Sequence, residues 1–214
     1  MAGYPYSRST SAGNSVAPDI MICKHVILDR DGVLNYEAPA SGYVREPEEF
    51  RWLPGSLEAL AMLARAGVRL TVATNQSGVG RGIMSLAQLT AVHDRMLTEA
   101  AAGGAAIDTV LFCPHAPDDE CSCRKPEPGL IREAISRSGI AAEDSLVVGD
   151  AQRDLEAAAR AGVRAVLVRT GKGLQTEAAL RGTEITVYES LSQLAHELVR
   201  SGTAFMRAPR SRLG

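Results

Sequence analysis

A doubly wound α/β domain on a mainly parallel sheet is the fold class the sequence predicts. Three observations predict it. Short continuous apolar runs recur along the chain, as strands buried on both faces require. Stretches of helical period separate them, so each connection is a right-handed helical crossover. The chain has 214 residues, 45% hydrophobic and 22% charged, which suits one globular domain.

The first run is residues 25–29, His-Val-Ile-Leu-Asp. Ser56 is the expected cap of a helix whose Leu57, Leu60, Ala61 and Ala64 share a face, with Gly67 past its end. Val68–Thr74 reads as the second strand. Ser85 and Gln88 make a capping-box pattern ahead of Leu86, Leu89, His93, Met96 and Leu97. Here His93 reads as a packed residue. Ile107–Phe112, Ser145–Gly149 and Arg164–Arg169 are the remaining strands. Helices are expected over about Pro128–Ser138 and Asp154–Ala161, stopped by Gly139 and Gly162.

Residues 1–20 are rich in Ser, Gly, Ala and Pro, lack the apolar core of a secretory signal, and read as a flexible extension. Residues 21–200 form the expected domain, and 201–214 a flexible basic tail. The last fifteen residues hold four arginines and no acid, so the remainder carries −6 against a whole-chain charge of −2. An acidic body with nine aromatic residues argues against a nucleic-acid surface. No segment approaches the roughly 20 apolar residues of a membrane span.

In such a sheet, ligands gather at the carboxyl ends of the strands. The first strand is followed by Asp29-Arg30-Asp31-Gly32, the second by Thr74-Asn75-Gln76-Ser77, the third by a cysteine-rich loop ending in Arg124-Lys125, and the fourth by Gly149-Asp150 with Asp154 four residues on. Asp29 and Asp31, two apart, would face one side of an extended strand. Carboxylates brought this close repel unless a cation joins them, and their hard oxygens suit Mg²⁺. One carboxylate can attack phosphorus, and another can protonate the leaving oxygen and later activate water. Thr74, Asn75 and Lys125 can supply donors and charge to phosphoryl oxygens.

These four segments, in this order, resemble the motifs of the haloacid dehalogenase (HAD) superfamily of phosphohydrolases. The resemblance covers about residues 22–200 and implies a HAD-like Rossmannoid fold. It implies Asp29 as nucleophile, Asp31 as general acid/base, and Mg²⁺ held by Asp29, the backbone carbonyl of Asp31, and Asp150. Thr74 and Lys125 would stabilise the phosphoryl group. Asp154 is expected to cap a helix or support Lys125 rather than touch the metal.

Cys113, His115, Cys121 and Cys123 offer three thiolates and an imidazole within eleven residues. That set fills a tetrahedral Zn²⁺ site and leaves no position for a catalytic water, so the zinc is expected to be structural. It would fix the loop 113–123 and so place Arg124 and Lys125. A set of free thiols or a redox pair is the competing reading. Cys23 reads as a buried small hydrophobe.

Only about twenty residues separate Asn35 from the next helix, and the stretch after Gly78 is also short, so the site is expected to be open. The full pattern resembles the D-glycero-D-manno-heptose 1,7-bisphosphate phosphatase family. It runs from Asp29-Arg-Asp-Gly-Val-Leu-Asn35 through Gly42-Tyr43-Val44, Leu53-Pro54-Gly55 and Thr74–Gly82 to Cys123-Arg-Lys-Pro-x-Pro-Gly129. That resemblance implies removal of the C7 phosphate to give heptose 1-phosphate, toward lipopolysaccharide heptose. Arg124 would recognise substrate, with Asn75, Gln76 and Ser77 lining the pocket. Ala151 departs from relatives that carry a basic residue there. The alternatives are a histidinol-phosphate phosphatase, a DNA 3′-phosphatase and a non-catalytic zinc-stabilised module. The overall expectation is a cytoplasmic monomer acting on a small phosphorylated sugar, with no nucleic-acid or membrane partner.

Overall fold

The computed structural model describes residues 20–38 and 42–206. Its strands are β1 (Ile20–Ile22), β2 (His25–Leu28), β3 (Arg69–Asn75), β4 (Thr109–Cys113), β5 (Ser145–Gly149), β6 (Arg164–Val168), β7 (Thr186–Tyr188) and β8 (Ala204–Met206). The helices are α1 (Ser56–Arg65), α2 (Leu86–Ala102), α3 (Gly129–Ser138), α4 (Gln152–Ala161), α5 (Gly173–Ala179) and α6 (Leu191–Arg200). Six strands form one parallel sheet in the order β4-β3-β2-β5-β6-β7. The predicted doubly wound α/β class is therefore the observed one.

Both central strands, β2 and β5, are buried along their whole length, which is why they read as unbroken apolar runs. Alternation along β2 divides the core. Val26 and Leu28 join Leu60, Leu63, Leu194 and Leu198 on one face, while Ile27 meets Ile131, Ala134 and Ala157 on the other. At the opposite end of β2 from the catalytic motifs, His25 is clasped between Thr71 Oγ1 (2.9 Å) and Ser145 Oγ (3.3 Å). Ser145 donates to the Ala141 carbonyl, so its oxygen accepts from Nδ1–H and Thr71 donates to Nε2. Burial holds this neutral imidazole down at about 4. Cys23 is buried, as expected.

The structure revises several boundaries. Gly55, not Ser56, caps α1; the Ser56 hydroxyl donates instead to the Val33 carbonyl at 3.2 Å, tying the helix to the first motif. The capping box of Ser85 and Gln88 is present. Helix α4 begins at Gln152, two residues early, because Asp154 accepts from the Ala151 N–H at 3.0 Å and closes the first turn. Residues 204–206, assigned to the tail, pair with Ile20–Ile22 as an antiparallel ladder after a turn at 201–203, and residues 1–19 and 207–214 of the two tails lie outside the described residues. Among the described residues between Asn35 and α1 there is one short 3₁₀ turn, Pro47–Glu49, and no cap domain. No helix among the described residues is long and apolar enough to cross a membrane.

Candidate active site

Parallel pairing brings the carboxyl ends of β2, β3 and β5 side by side, and with them Asp29, Thr74 and Asp150. Strand β2 stops at Leu28 and the chain then turns, with Leu34 N–H bonded to the Arg30 carbonyl and Gly32 N–H to the Asn35 carbonyl. Asp29 and Asp31 therefore do not share a strand face, and each carboxylate has its own set of partners.

Asp29 is 4% exposed. Its Oδ1 accepts from Arg30 N–H at 2.8 Å and lies 3.1 Å from Lys125 Nζ. Its Oδ2 has the Arg153 guanidinium 3.8 Å away, too far for a hydrogen bond. Lys125 is buried and fully engaged: Nζ pairs with Asp154 at 2.6 Å and donates to the Ala73 carbonyl at 2.8 Å. Burial disfavours its charge, but Asp154 and Asp29 outweigh that and push its pKa up. Asp154 thus both closes the first turn of α4 and anchors the lysine.

Asp31 is gripped from three sides. Arg30, which is fully buried, donates from one nitrogen to both carboxylate oxygens (3.0 and 2.9 Å). Asn35 Nδ2 and Gln76 Nε2 donate at 2.9 Å each. Burial raises the Asp31 carboxyl, but the Arg30 charge and these bonds together hold it below the usual carboxylate range. The other terminal nitrogen of Arg30 donates to His93 Nε2 at 3.1 Å, so His93 is neutral and buried, held at about 3. It packs as expected, but it also steadies the arginine that holds Asp31.

The sequence expects Asn75, Gln76 and Ser77 to line the pocket. The structure engages the first two within the site. Asn75 bonds both the carbonyl (2.9 Å) and the N–H (3.0 Å) of Lys125, and Gln76 spans Asp31 and Thr74 Oγ1 (3.0 Å). Ser77 Oγ meets the Tyr43 hydroxyl at 3.1 Å. Arg124 is half-buried beside Lys125.

Asp150 is fully buried, and Oδ2 accepts the Lys172 N–H at 2.8 Å. The Gly32 backbone passes so close that a Cβ there would lie 2.1 Å from Asp150 Oδ2, so only glycine fits. Asp150 Oδ1 is buried with no hydrogen-bond partner. Burial, then Asp29 and Asp154, raise the Asp150 carboxyl to about 7. Oxygens of Asp29, Asp150 and Asp154 all lie within 4.8 Å of one another. An orphaned buried oxygen in a cluster short of positive charge fits a hard divalent cation. Because Asp154 is turned to Lys125 and the helix cap, Asp29 and Asp150 are the side chains best placed to hold it.

The cysteine loop follows β4 and returns to α3. Its four donors converge: Cys113 Sγ lies 3.5 Å from Cys121 Sγ, 3.2 Å from Cys123 Sγ and 3.5 Å from His115 Nδ1. Tetrahedral Zn–S bonds of about 2.3 Å give sulfur–sulfur edges of about 3.8 Å, so this cluster is near the size of a zinc site. Burial, then the neighbouring Cys123 thiol, pushes the Cys113 thiol well above its ordinary range, a cost that a bound cation reverses. The loop is tied to the site by Gln76 N–H to the Cys113 carbonyl and Gly80 N–H to the Pro114 carbonyl, each 2.8 Å.

Comparison with known proteins adds to this geometry. A family model described as HAD-hyrolase-like matches residues 122–194. The chain is 44% identical over 177 residues to D-glycero-beta-D-manno-heptose-1,7-bisphosphate 7-phosphatase of Pseudomonas putida, covering 82% of this chain and 99% of that relative. The relative of the same name from Bordetella bronchiseptica is 44% identical over 83% of this chain and 98% of its own. The chain belongs to this phosphatase family. A crystal structure of D,D-heptose 1.7-bisphosphate phosphatase from B. bronchiseptica, complexed with magnesium and phosphate, superposes with a TM-score of 0.78 at 43% identity, covering 83% of this chain and 99% of that one. The corresponding phosphatase from Burkholderia thailandensis gives 0.64 at 41%, over 82% and 98%.

Family membership leaves two residues that sequence reasoning missed. Arg30 lies inside the first motif, and nothing in its neighbours signals that it is buried. Arg153 did carry a signal. It sits in the first turn of α4, where the helix dipole disfavours a cation. A residue that breaks a local rule between Asp150 and Asp154 points to function.

Proposed function

We propose that this protein removes the C7 phosphate of D-glycero-D-manno-heptose 1,7-bisphosphate through an aspartyl-phosphate on Asp29. The beta anomer in the relatives' names is carried over with the substrate. The observation that carries the reading is Asp29 itself: a buried carboxylate with one oxygen fixed by Lys125 and Arg30 N–H and the other facing the Arg153 guanidinium at 3.8 Å, beyond hydrogen-bond distance.

Asp29 Oδ2 attacks phosphorus in line, and the bond from phosphorus to the C7 oxygen breaks as its electron pair stays on that oxygen. Asp31 gives the leaving oxygen a proton. At rest Asp31 is ionised; the arriving phosphoryl group, by adding negative charge beside it, raises its proton affinity, so it first takes up from solvent the proton that it then donates. In the second half, Asp31 takes a proton from water, the oxygen attacks phosphorus, and the Asp29–phosphorus bond breaks to release phosphate. Lys125 holds charge against Asp29, and Thr74 faces the phosphoryl position. Asn75 and Gln76 hold Lys125 and Asp31, while Ser77 and Arg124 meet the sugar. Mg²⁺ held by Asp29, Asp150 and the Asp31 carbonyl would supply charge neutralisation between the carboxylates and the phosphoryl group. Zn²⁺ on Cys113, His115, Cys121 and Cys123 would hold the loop that presents Arg124 and Lys125. The same reading takes the enzyme to be a cytoplasmic monomer.

The test is a comparison of specific rates on heptose 1,7-bisphosphate, histidinol phosphate and a 3′-phosphorylated oligonucleotide. Heptose bisphosphate is expected to give the highest kcat/KM. A preference for either of the others overturns the substrate.

A further inference from the structure

We infer that Arg153 is a further catalytic residue, whose guanidinium donates to the oxygens of the phosphoryl group as it moves onto Asp29. The inference rests on the aspartyl-phosphate reading above and goes beyond it.

Three observations carry it. The first is place. Asp29 Oδ1 is taken by Lys125 and Arg30 N–H, so Oδ2 is the attacking oxygen, and Arg153 stands 3.8 Å from it. A phosphoryl group in line with Oδ2 arrives within reach of that guanidinium. The second is charge. Asp29, Asp150 and Asp154 bring three negative charges to one buried cluster, and Lys125 answers one of them. One divalent cation cancels the other two. A phosphate dianion then enters a site already neutral, and Arg153 is the cation beside Oδ2 not yet bound to a partner at hydrogen-bond distance. Arg30 is closed to this task, being fully buried on Asp31 and His93.

The third is conformation. Arg153 occupies the second position of α4, where its charge opposes the helix dipole, and Asp154, Asp29, Asp150 and Glu37 supply the field that holds it there. Its Nε is buried without a hydrogen-bond partner, while the side chain as a whole is 34% exposed. The guanidinium is therefore partly exposed and carries donor capacity that no group among the described residues takes up. Planar, always charged and forked, it matches phosphoryl oxygens better than a lysine would.

The test uses wild type, R153Q, R153A and R153K. It measures kcat and KM on heptose bisphosphate, binding of inorganic phosphate by titration calorimetry with Mg²⁺ present, and the Mg²⁺ concentration giving half the maximal rate. Removing a charge-assisted bond predicts a loss of about tenfold to a hundredfold in kcat/KM for R153Q. Phosphate binding is expected to weaken about tenfold, with R153K recovering part of both and the half-activating Mg²⁺ no higher than in wild type. R153A decides the question should R153Q fail to fold. Phosphate binding and kcat/KM within about twofold of wild type overturn the inference, as does a loss that disappears at saturating Mg²⁺, which would make Arg153 a support of the metal site. A wild-type protein that hydrolyses none of the three phosphate esters overturns instead the underlying function.

Discussion

The carboxylate site draws Asp29 from the end of β2, Thr74 from β3, Lys125 from the loop before α3, Asp150 from the β5–α4 turn and Asp154 from the first turn of α4. The cysteine loop draws its four donors from eleven consecutive residues, 113–123. One keeps an orphaned oxygen on Asp150 and, on Asp29, an oxygen whose nearest cation stands 3.8 Å away; the other has every donor turned inward on its neighbours. The difference teaches how a chain assigns work. A closed, local cluster needs only a short segment and can stabilise a loop that has little core of its own. A reactive cluster needs carboxylates held together against their repulsion, and only a whole sheet is stiff enough to do that.

The strongest way to break this comparison is at the reactive cluster. Asp29→Asn keeps the shape and removes the proposed nucleophile, and turnover is expected to fall by roughly a thousandfold or more. The thermal midpoint should hold or rise, because a buried charge has gone. Turnover near the wild-type rate would remove Asp29 as nucleophile. Lys125→Met tests whether the cluster also carries stability. It strips the partner from Asp29 and Asp154, and a loss of about 3–5 kcal/mol in denaturant unfolding without metal is expected, together with loss of activity. A variant as stable as wild type would show that these carboxylates find protons or partners elsewhere.

The cysteine loop is expected to respond in the opposite sense. Elemental analysis of protein purified under reducing conditions should find one zinc per chain. Cys121→Ala should lose that zinc, lower Tm by about 10 °C and leave partial turnover, since it loosens Lys125 without removing it. Zinc absent from the wild type would sink the metal assignment. Unchanged Tm in a variant that has lost its zinc would show that the loop holds itself.

The smallest expected effect lies at the far end of the sheet. His25 is held at about 4 in the folded chain against 6.5 unfolded. The unfolded state therefore takes up its proton first, and stability falls as pH drops from about 6.5 towards 4. Between pH 7 and pH 5 the expected loss from this residue is about 2 kcal/mol. His93 acts with the same sign, so His25→Gln should reduce the slope of denaturant midpoint against pH without abolishing it. An unchanged slope would mean that His25 charges freely in the fold.

Much of this was legible in the chain. Continuous apolar runs marked five of the six strands of the main sheet, and Gly139 and Gly162 marked the ends of α3 and α4, where both adopt positive φ. Helix α6 carried an unread signal: Ser190 as its cap, then Leu191, Leu194, Ala195 and Leu198 on one buried face. Strand β7, three residues long, is too short for its pattern to separate it from a loop. The ladder of β1 with β8 joins segments more than 180 residues apart, and no local pattern announces such a pairing.

By itself, then, the sequence determined the order of strands and helices, the residue types at each strand end and the four donors of the cysteine loop. Those follow from short-range periodicity and from spacing along one segment. Tertiary structure alone decided which oxygen of Asp29 is free and that Asp31 turns to Arg30 rather than towards Asp29. It also decided that Asn75 and Gln76 bind Lys125 and Asp31, and that Arg153 faces Asp29 Oδ2. The physical reason is burial. Charges brought together in a water-poor cleft must find partners, and which partner each finds depends on groups delivered from strands and loops tens of residues apart.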